Sequence, residues 1–443
     1  HDAGTAYAAI DRHQMDDITP HIYKTHDFGK TWTKIINGIP PTAYVHAVRQ
    51  DPVRKDLLFA GTEMGVYVSF DDGELWRPLQ LNLPATPIRD LVVKGNDLVV
   101  ATHGRSFWIL DDISALRQMN ADVAAAGAHL FLPATAIRIR KNEGHDTPLQ
   151  PETPAGKNPP AGAIIDYSLS AVPSGEVSLE IFDSAGTSVR KYSSSDSPRP
   201  LDETQSFPTY WFNPPGPLSK RVGLNRFVWD LRYERPKALR YGYSIAAAFG
   251  EDAIMVPEGP FVVPGVYQVK LTVAGRTYNA PLEVKLDPRL KIPQLALGQQ
   301  QALELKISEA MNQSYDSVQQ IKELRTRITE LQTKLGSDSN AKSTLEAIAA
   351  LDKKAAELVA VEQSYPPVGI VSLASVNGAL AQLIDQVDGA DSAPTTQATA
   401  AFVAYKRLLD QQMAKWNALR TNDLPALNAL LQQRQLPAIN VQD

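Results

Sequence analysis

The 443-residue sequence contains no cysteine, which excludes disulfides, thiolate metal ligands and cysteine nucleophiles. No apolar run reaches the roughly 18 residues that would read as a membrane-spanning helix, so no membrane span is expected. Neither sign of charge dominates. The 44 Lys and Arg against 49 Asp and Glu leave a formal charge of −5, which offers no basic face for nucleic acid or anionic lipid. The H-E-x-x-H, G-x-S-x-G and P-loop signatures are missing as well. Histidine is absent after residue 145: all eight, at 1, 13, 21, 26, 46, 103, 129 and 145, lie at or before that point. Histidine-dependent chemistry therefore belongs to the N-terminal third.

That third also carries an internal repeat. Thr25-His26-Asp27-Phe28-Gly29-Lys30-Thr31-Trp32 reads S/T-x-D-x-G-x-x-W, and Ser69-Phe70-Asp71-Asp72-Gly73-Glu74-Leu75-Trp76 reads it again. A weaker third copy aligns Leu98–Thr102 with Leu57–Thr62 and carries Asp71 onto Asp111, without the Gly and Trp. A spacing of about 40 to 44 residues, with short strands and a Gly-Trp signature, points to blades of a β-propeller. Asp27 and Asp71 are expected to accept hydrogen bonds from their own turns, Gly29 and Gly73 to supply a backbone angle other residues resist, and Trp32 and Trp76 to pack under the adjoining blade. All six read as scaffold.

The motif resembles the Asp-box, or BNR, repeat of bacterial sialidases, sortilin-type receptors and some xyloglucanases. The run Ala101–Asp112, the Asn158–Ala163 entry, the Gly223–Arg232 strand and the helical tail are similar to the C-terminal part of large secreted bacterial Asp-box proteins described as sortilin-like or glycosyl-hydrolase-like. The resemblance implies a propeller whose boxes are structural, and a secreted, periplasmic or extracellular location. Residues 1–115 supply two to three blades, whereas closed propellers use about 4 to 8. The remaining blades are expected on an N-terminal portion of the same precursor, either upstream in one polypeptide or as a separate chain.

Aligning the blades places Glu63 and His103 at the same inter-strand turn, followed by Gly65 and Arg105, with Asp11-Arg12-His13 at the corresponding point one blade earlier. Asp11, His13, Glu63, His103 and Arg105 are thus expected on one rim, opposite the Asp turns. There they either cap turns or form a site. As a binding site they would take a peptide or glycan. As a glycoside hydrolase they would use Glu63 and Asp11 as paired carboxylates; with only Arg12 and Arg105 available to a substrate carboxylate, neutral glycans are favoured over sialic acid. No metal or cofactor is expected, beyond a weak case for calcium at Asp71-Asp72 or Asp111-Asp112.

Downstream, residues 116–162 read as a connector with Pro-rich polar stretches. Period-two alternation at Ile165, Tyr167, Leu169; Val177, Leu179, Ile181; Phe227, Trp229, Leu231; and Tyr267 to Leu286 predicts an immunoglobulin- or fibronectin-III-like sandwich over 163–288, interrupted at 233–263. Tyr210, Trp211 and Phe212 form a packing cluster or a sugar platform. A heptad seam at Ile307, Ser314, Ile321, Ile328 and Leu335 opens an antiparallel helical bundle over 289–443, with helices predicted at 342–365, after Pro366-Pro367, after Pro394 and after Asp423. The fold class is therefore multidomain, mainly β followed by α, and a purely structural scaffold is a third functional class.

Overall fold

The computed structural model describes residues 1–441 apart from 143, 145, 198–206, 337–340 and 361–371. The helix break at Pro366-Pro367 lies outside the described residues; the helix expected over 342–365 ends earlier, at Val359, where Ala360 leaves helical geometry.

Three antiparallel sheets form first. They are β1 (Ala6–Ala9), β2 (Ile22–Thr25) and β3 (Thr33–Lys34); β4 (Val45–Gln50), β5 (Leu58–Thr62), β6 (Gly65–Ser69) and β7 (Trp76–Pro78); and β8 (Ile88–Lys94), β9 (Asp97–Thr102) and β10 (Phe107–Leu110). Each strand pairs antiparallel with its sequence neighbour, as strands joined by local connections do. The sheets stack face to face, with one apolar core between the first and second and another between the second and third. This is a propeller-like arc.

The repeated turns work as their residues require. Asp27 accepts from the Thr31 backbone at 2.8 Å, and the Thr25 hydroxyl takes the Gly29 N–H at 3.0 Å. Asp71 likewise accepts from Leu75 at 3.0 Å, and Ser69 takes the Gly73 N–H at 2.9 Å. Gly73 has φ +92°, and a Cβ there would stand 2.4 Å from Ile35 Cδ1, so any other residue would be strained and would have to displace Ile35. Trp76 is buried under the first sheet and donates to the Ile35 carbonyl at 2.9 Å. Trp32 departs from the expectation: it is 45% exposed and donates to Gly29 of its own turn at 3.1 Å. The first sheet covers Trp76, whereas no described element covers Trp32.

The third copy also needs correction. Its turn spans Thr102 to Ser106, one residue longer than Thr62 to Gly65, as the two hydroxyl-to-carbonyl bonds at their bases show. That insertion moves the counterpart of Asp71 from Asp111 to Asp112, which accepts from Ser114 at 2.9 Å. In place of a fourth strand the chain enters α1 (Ser114–Gln118) and α2 (Ala121–Ala125). Arg117 of α1 holds fully buried Asp51 at 2.9 Å.

A two-sheet sandwich follows. One sheet orders β11 (Ala128–Leu130), β13 (Ala163–Leu169) and β16 (Gly223–Trp229). The other orders β12 (Ala136–Arg138), β20 (Arg276–Leu286), β19 (Gly265–Val273), β14 (Val177–Phe182) and β15 (Ser188–Ser193), with β12 parallel to β20. The 116–162 stretch thus contributes an edge strand to each sheet. The alternating residues meet in one core around fully buried Trp229 and Tyr167. The 233–263 excursion carries the β17 (Gly242–Tyr243) and β18 (Met255–Val256) pair and docks on the helices through Leu239, whose N–H donates to Asn377 at 2.9 Å. Trp211 stacks on Phe207, and Phe212 packs against Tyr243 of the excursion.

The helices are α3 (Gln294–Leu335), α4 (Lys342–Val359), α5 (Leu373–Asp388), α6 (Thr396–Ala418) and α7 (Leu424–Gln433). Every residue of the expected α3 seam is buried, Ser314 included. The α6 and α7 segments run on through a π-helical turn, Leu419–Asp423, rather than starting separately. Pro425 has no N–H to offer the preceding turn, and the wider turn accommodates that loss without breaking the helix.

Candidate functional site

Strands β5 and β9 end in the turns that carry Glu63 and His103, and β1 ends just before Asp11. The Asp turns follow strands running the opposite way, so the two sets lie at opposite ends of the sheets. Four of the five expected rim residues come together, joined by three that the sequence did not announce: Tyr44, His46 and Arg89.

His46 is the hub. Its Nδ1 lies 3.1 Å from Asp11 Oδ2 and its Nε2 lies 2.9 Å from Glu63 Oε2. Arg89 Nη1 stands 3.1 Å from the same Nε2 and 4.0 Å from Glu63, while Arg89 Nη2 reaches His103 Nδ1 at 3.0 Å. His13 Nδ1 bonds Asp11 Oδ1 at 2.5 Å, and the His13 ring stacks on Tyr44 with centroids 4.8 Å apart. The polar contacts thus run Asp11, His46, Glu63, Arg89, His103 across all three sheets. Arg105 sits in the inserted turn, exposed, and its side chain makes none of these contacts.

The backbone explains how His46 and Arg89 reach this rim. The β4–β5 register shifts between Val45 and Ala47, and the β8–β9 register shifts between Ile88 and Asp90. In both sheets the second residue of the first strand is the bulged one. A bulge breaks the alternation of faces and re-aims one side chain, here toward the turn end of the arc. Period-two patterning carries no signal for this. A polar residue at the second position of the first strand in two successive repeats, His46 in one and Arg89 in the next, is the signal available.

Burial separates the roles. The His46 side chain is 6% exposed, whereas Asp11, Glu63 and Arg89 are 30%, 28% and 42% exposed. Burial pushes Asp11 up, but the hydrogen bonds from the His13 ring and backbone outweigh it and hold the carboxyl below its usual range. Glu63 is raised by burial and lowered more by hydrogen bonds from His46 and Tyr44, ending below its usual value. Tyr44 is pushed up, first by burial and then by the Glu63 carboxylate it bonds. Nε2 of His46 can donate to Glu63 or accept from Arg89, but not both, so one proton decides which contact forms. Arginine only donates, so the Arg89 contact makes His103 Nδ1 an acceptor and leaves its Nε2–H for solvent or a ligand.

The Asp turns are occupied by protein donors. Asp71 serves its own turn, and Asp72 pairs with Tyr7 and Lys24 of the first sheet.

A second polar cluster joins sandwich, excursion and bundle. Arg138, Arg140 and Arg232 place their guanidinium carbons 4.8, 4.9 and 3.6 Å from the Phe261 ring centroid. Asp388 lies 3.0 Å from Arg140 and 2.9 Å from Arg232, and Asp391 lies 2.8 Å from Arg138. Glu304 is 1% exposed beside them with an unpartnered Oε1. Burial first, then the Asp388 charge, pushes its carboxyl up to about 8. Asp385 is pushed up to about 7 by burial, then by Asp388 and Glu258. A cavity of about 270 Å³ opens beside Arg140, Lys141, Glu258, Asp385 and Asp388.

No protein-family model matches the sequence, and neither does any of the curated proteins. Among solved structures, the chain is similar to the extracellular domain of a one-component system of B. thetaiotaomicron (10% identity, 60% of this chain and 28% of that one, TM-score 0.17). It is also similar to an ancestral GH74 enzyme (11%, 64% and 34%, TM-score 0.20) and to YCF48 bound to a D1 peptide (10%, 61% and 74%, TM-score 0.17). The chain spans about a third or less of the first two. At these TM-scores the likenesses carry no argument about function, and the propeller-like arrangement rests on the three stacked sheets themselves.

Proposed function

We propose that this chain is part of a secreted Asp-box propeller protein, its further blades supplied by an N-terminal segment or a second chain. In this reading the turn end of the arc binds a peptide or a glycan. The sandwich, of immunoglobulin or fibronectin III kind, and the bundle support it. The observation that carries the reading is the polar chain Asp11, His46, Glu63, Arg89, His103. It crosses three sheets, leaves outward-facing groups on His13 and His103, and sets the Tyr44 and His13 rings beside them as a stacking surface. A set of residues serving only to cap turns would bond within its own turn, whereas these bond between sheets.

The glycoside hydrolase alternative draws on Asp11 and Glu63 lying on one rim. The nearly buried His46 ring fills the space between them, where a hydrolase pair needs the scissile bond or a water. Binding is therefore the favoured reading. Glycan and peptide arrays probed with the wild-type chain and with Glu63→Gln and His103→Ala test it. Ligands retained by wild type and weakened about tenfold or more by both substitutions, the loss of one or two charge-assisted hydrogen bonds, are expected. Arrayed glycans cleaved by wild type and left intact by Glu63→Gln would favour the hydrolase. Binding insensitive to either substitution would remove the rim from the function.

A further inference from the structure

The hydroxyl-x-Asp turn follows β2 in the first sheet and β6 in the second, so β1, β2 and β3 correspond to β5, β6 and β7. Among the described residues the first sheet therefore has no counterpart of β4. No described strand pairs along the edge where it would lie: the Ile10 N–H bonds the His21 carbonyl, and the antiparallel alternation then turns the N–H groups of Tyr7 and Ala9 away from β2. Their counterparts in the second sheet, Phe59 and Gly61, face β4: Asp51 N–H bonds the Leu57 carbonyl, which sets the same alternation along β5.

The rim repeats with the same period. His46, bulged from β4, stands between the turn of the preceding sheet (Asp11) and that of its own (Glu63). Arg89, bulged from β8, stands between Glu63 and His103. Asp11 is flanked by a bulged residue on one side only. The neighbouring surface is open as well, with Phe28 78% and Trp32 45% exposed, where the equivalent Trp76 is buried by a preceding sheet.

Resting on the propeller reading, we infer that β1 takes a further strand, antiparallel along Tyr7 and Ala9, from a polypeptide segment that carries the adjoining blade. The strand repeats the design of β4 and β8: a bulged hydrogen-bond donor at its second residue, set beside Asp11 so that the rim gains a further member. The same segment covers Phe28 and Trp32, offering a backbone carbonyl to the Trp32 indole as Ile35 does to Trp76. Opposite Phe28 it presents an apolar surface, where the first sheet presents Tyr7 and Lys24 to Asp72. The second and third sheets show in this chain what such an occupant looks like, which favours a blade-bearing segment over an unrelated partner.

Counting back from Glu63 and Asp11 aligns Val53 with His1. A copy of residues 42–52 placed directly ahead of His1 in the full chain therefore supplies the strand in register. The probe is amide hydrogen exchange, read for the plain chain, the extended chain, and the extended chain with R49P in the copied segment, which removes a ladder donor. Exchange at Tyr7 and Ala9 is expected to slow about tenfold or more on extension, with the slowing lost in the proline version. Unchanged exchange on extension overturns the inference. Slow exchange at both amides in the plain chain, together with a doubled mass, overturns it in favour of a second copy on this edge. The arrays are read separately, so failed ligand binding beside the expected protection would sink the function and leave the strand.

Discussion

Glu304 shows what a single buried carboxyl does to the pH response. Its folded pKa, about 8, lies well above the ordinary 4.5, so between those values the folded chain holds a proton that the unfolded chain releases. Stability then falls as pH rises from about 5 to 8 and levels off above, by on the order of a few kcal/mol. Asp385, raised to about 7, acts in the same direction. Glu304→Gln keeps the neutral form at all pH values. Urea unfolding at pH 5 and pH 8 should show a smaller difference in the variant than in wild type; an equal difference would place the dependence elsewhere. His103 offers a second test. With Nδ1 accepting from Arg89, the ring carries its proton on Nε2, and imidazole nitrogen spectra should show that tautomer.

Elements are where most of the legible signal lay. The S/T-x-D-x-G-x-x-W turns could be read because hydroxyl, Asp and Gly act within eight residues of chain, and the α3 seam because a long helix buries every seventh residue regardless of partners. The tryptophans were half legible, since burial of an indole depends on the adjoining sheet. Trp76→Ala should cost about 3–5 kcal/mol, the usual range for removing a buried large aromatic. Trp32→Ala should cost under about 1 kcal/mol in this chain. Denaturant midpoints compare the two, and equal losses would contradict the burial assignment. Bulges were not legible: His46 and Arg89 look like ordinary polar residues of mixed strands until the register is known. The offset from Asp111 to Asp112 arose the same way, since one inserted turn residue leaves the strand pattern intact. Arg105 was placed on the rim by sequence offset, and that same insertion carries it into solvent.

For the whole molecule, the Phe261 cluster sets how the β and α parts unfold. Arg232 touches Asp388 of α5, Glu258 of the excursion and the Phe261 face, so it ties three parts together from a nearly buried position. Removing one member of a buried ionic network leaves the others uncompensated and costs about 3–5 kcal/mol. Arg232→Met should lower stability by that order and separate bundle unfolding, followed by helical circular dichroism, from sandwich unfolding, followed by Trp229 fluorescence. Coincident transitions in the variant would mean the coupling lies in other contacts, such as Leu239 with Asn377.

The rim is the other property of the whole arc, because no one sheet contains it. Long-range nitrogen–proton spectra of the histidine rings, recorded on wild type and on Arg89→Met, test it most directly. A continuous polar chain predicts that losing the guanidinium shifts both His46, one sheet back and in direct contact with Arg89, and His103, while buried His21 and distant His129 stay in place. A response confined to His103, or none at all, would contradict it and leave five residues that only share an end of three sheets.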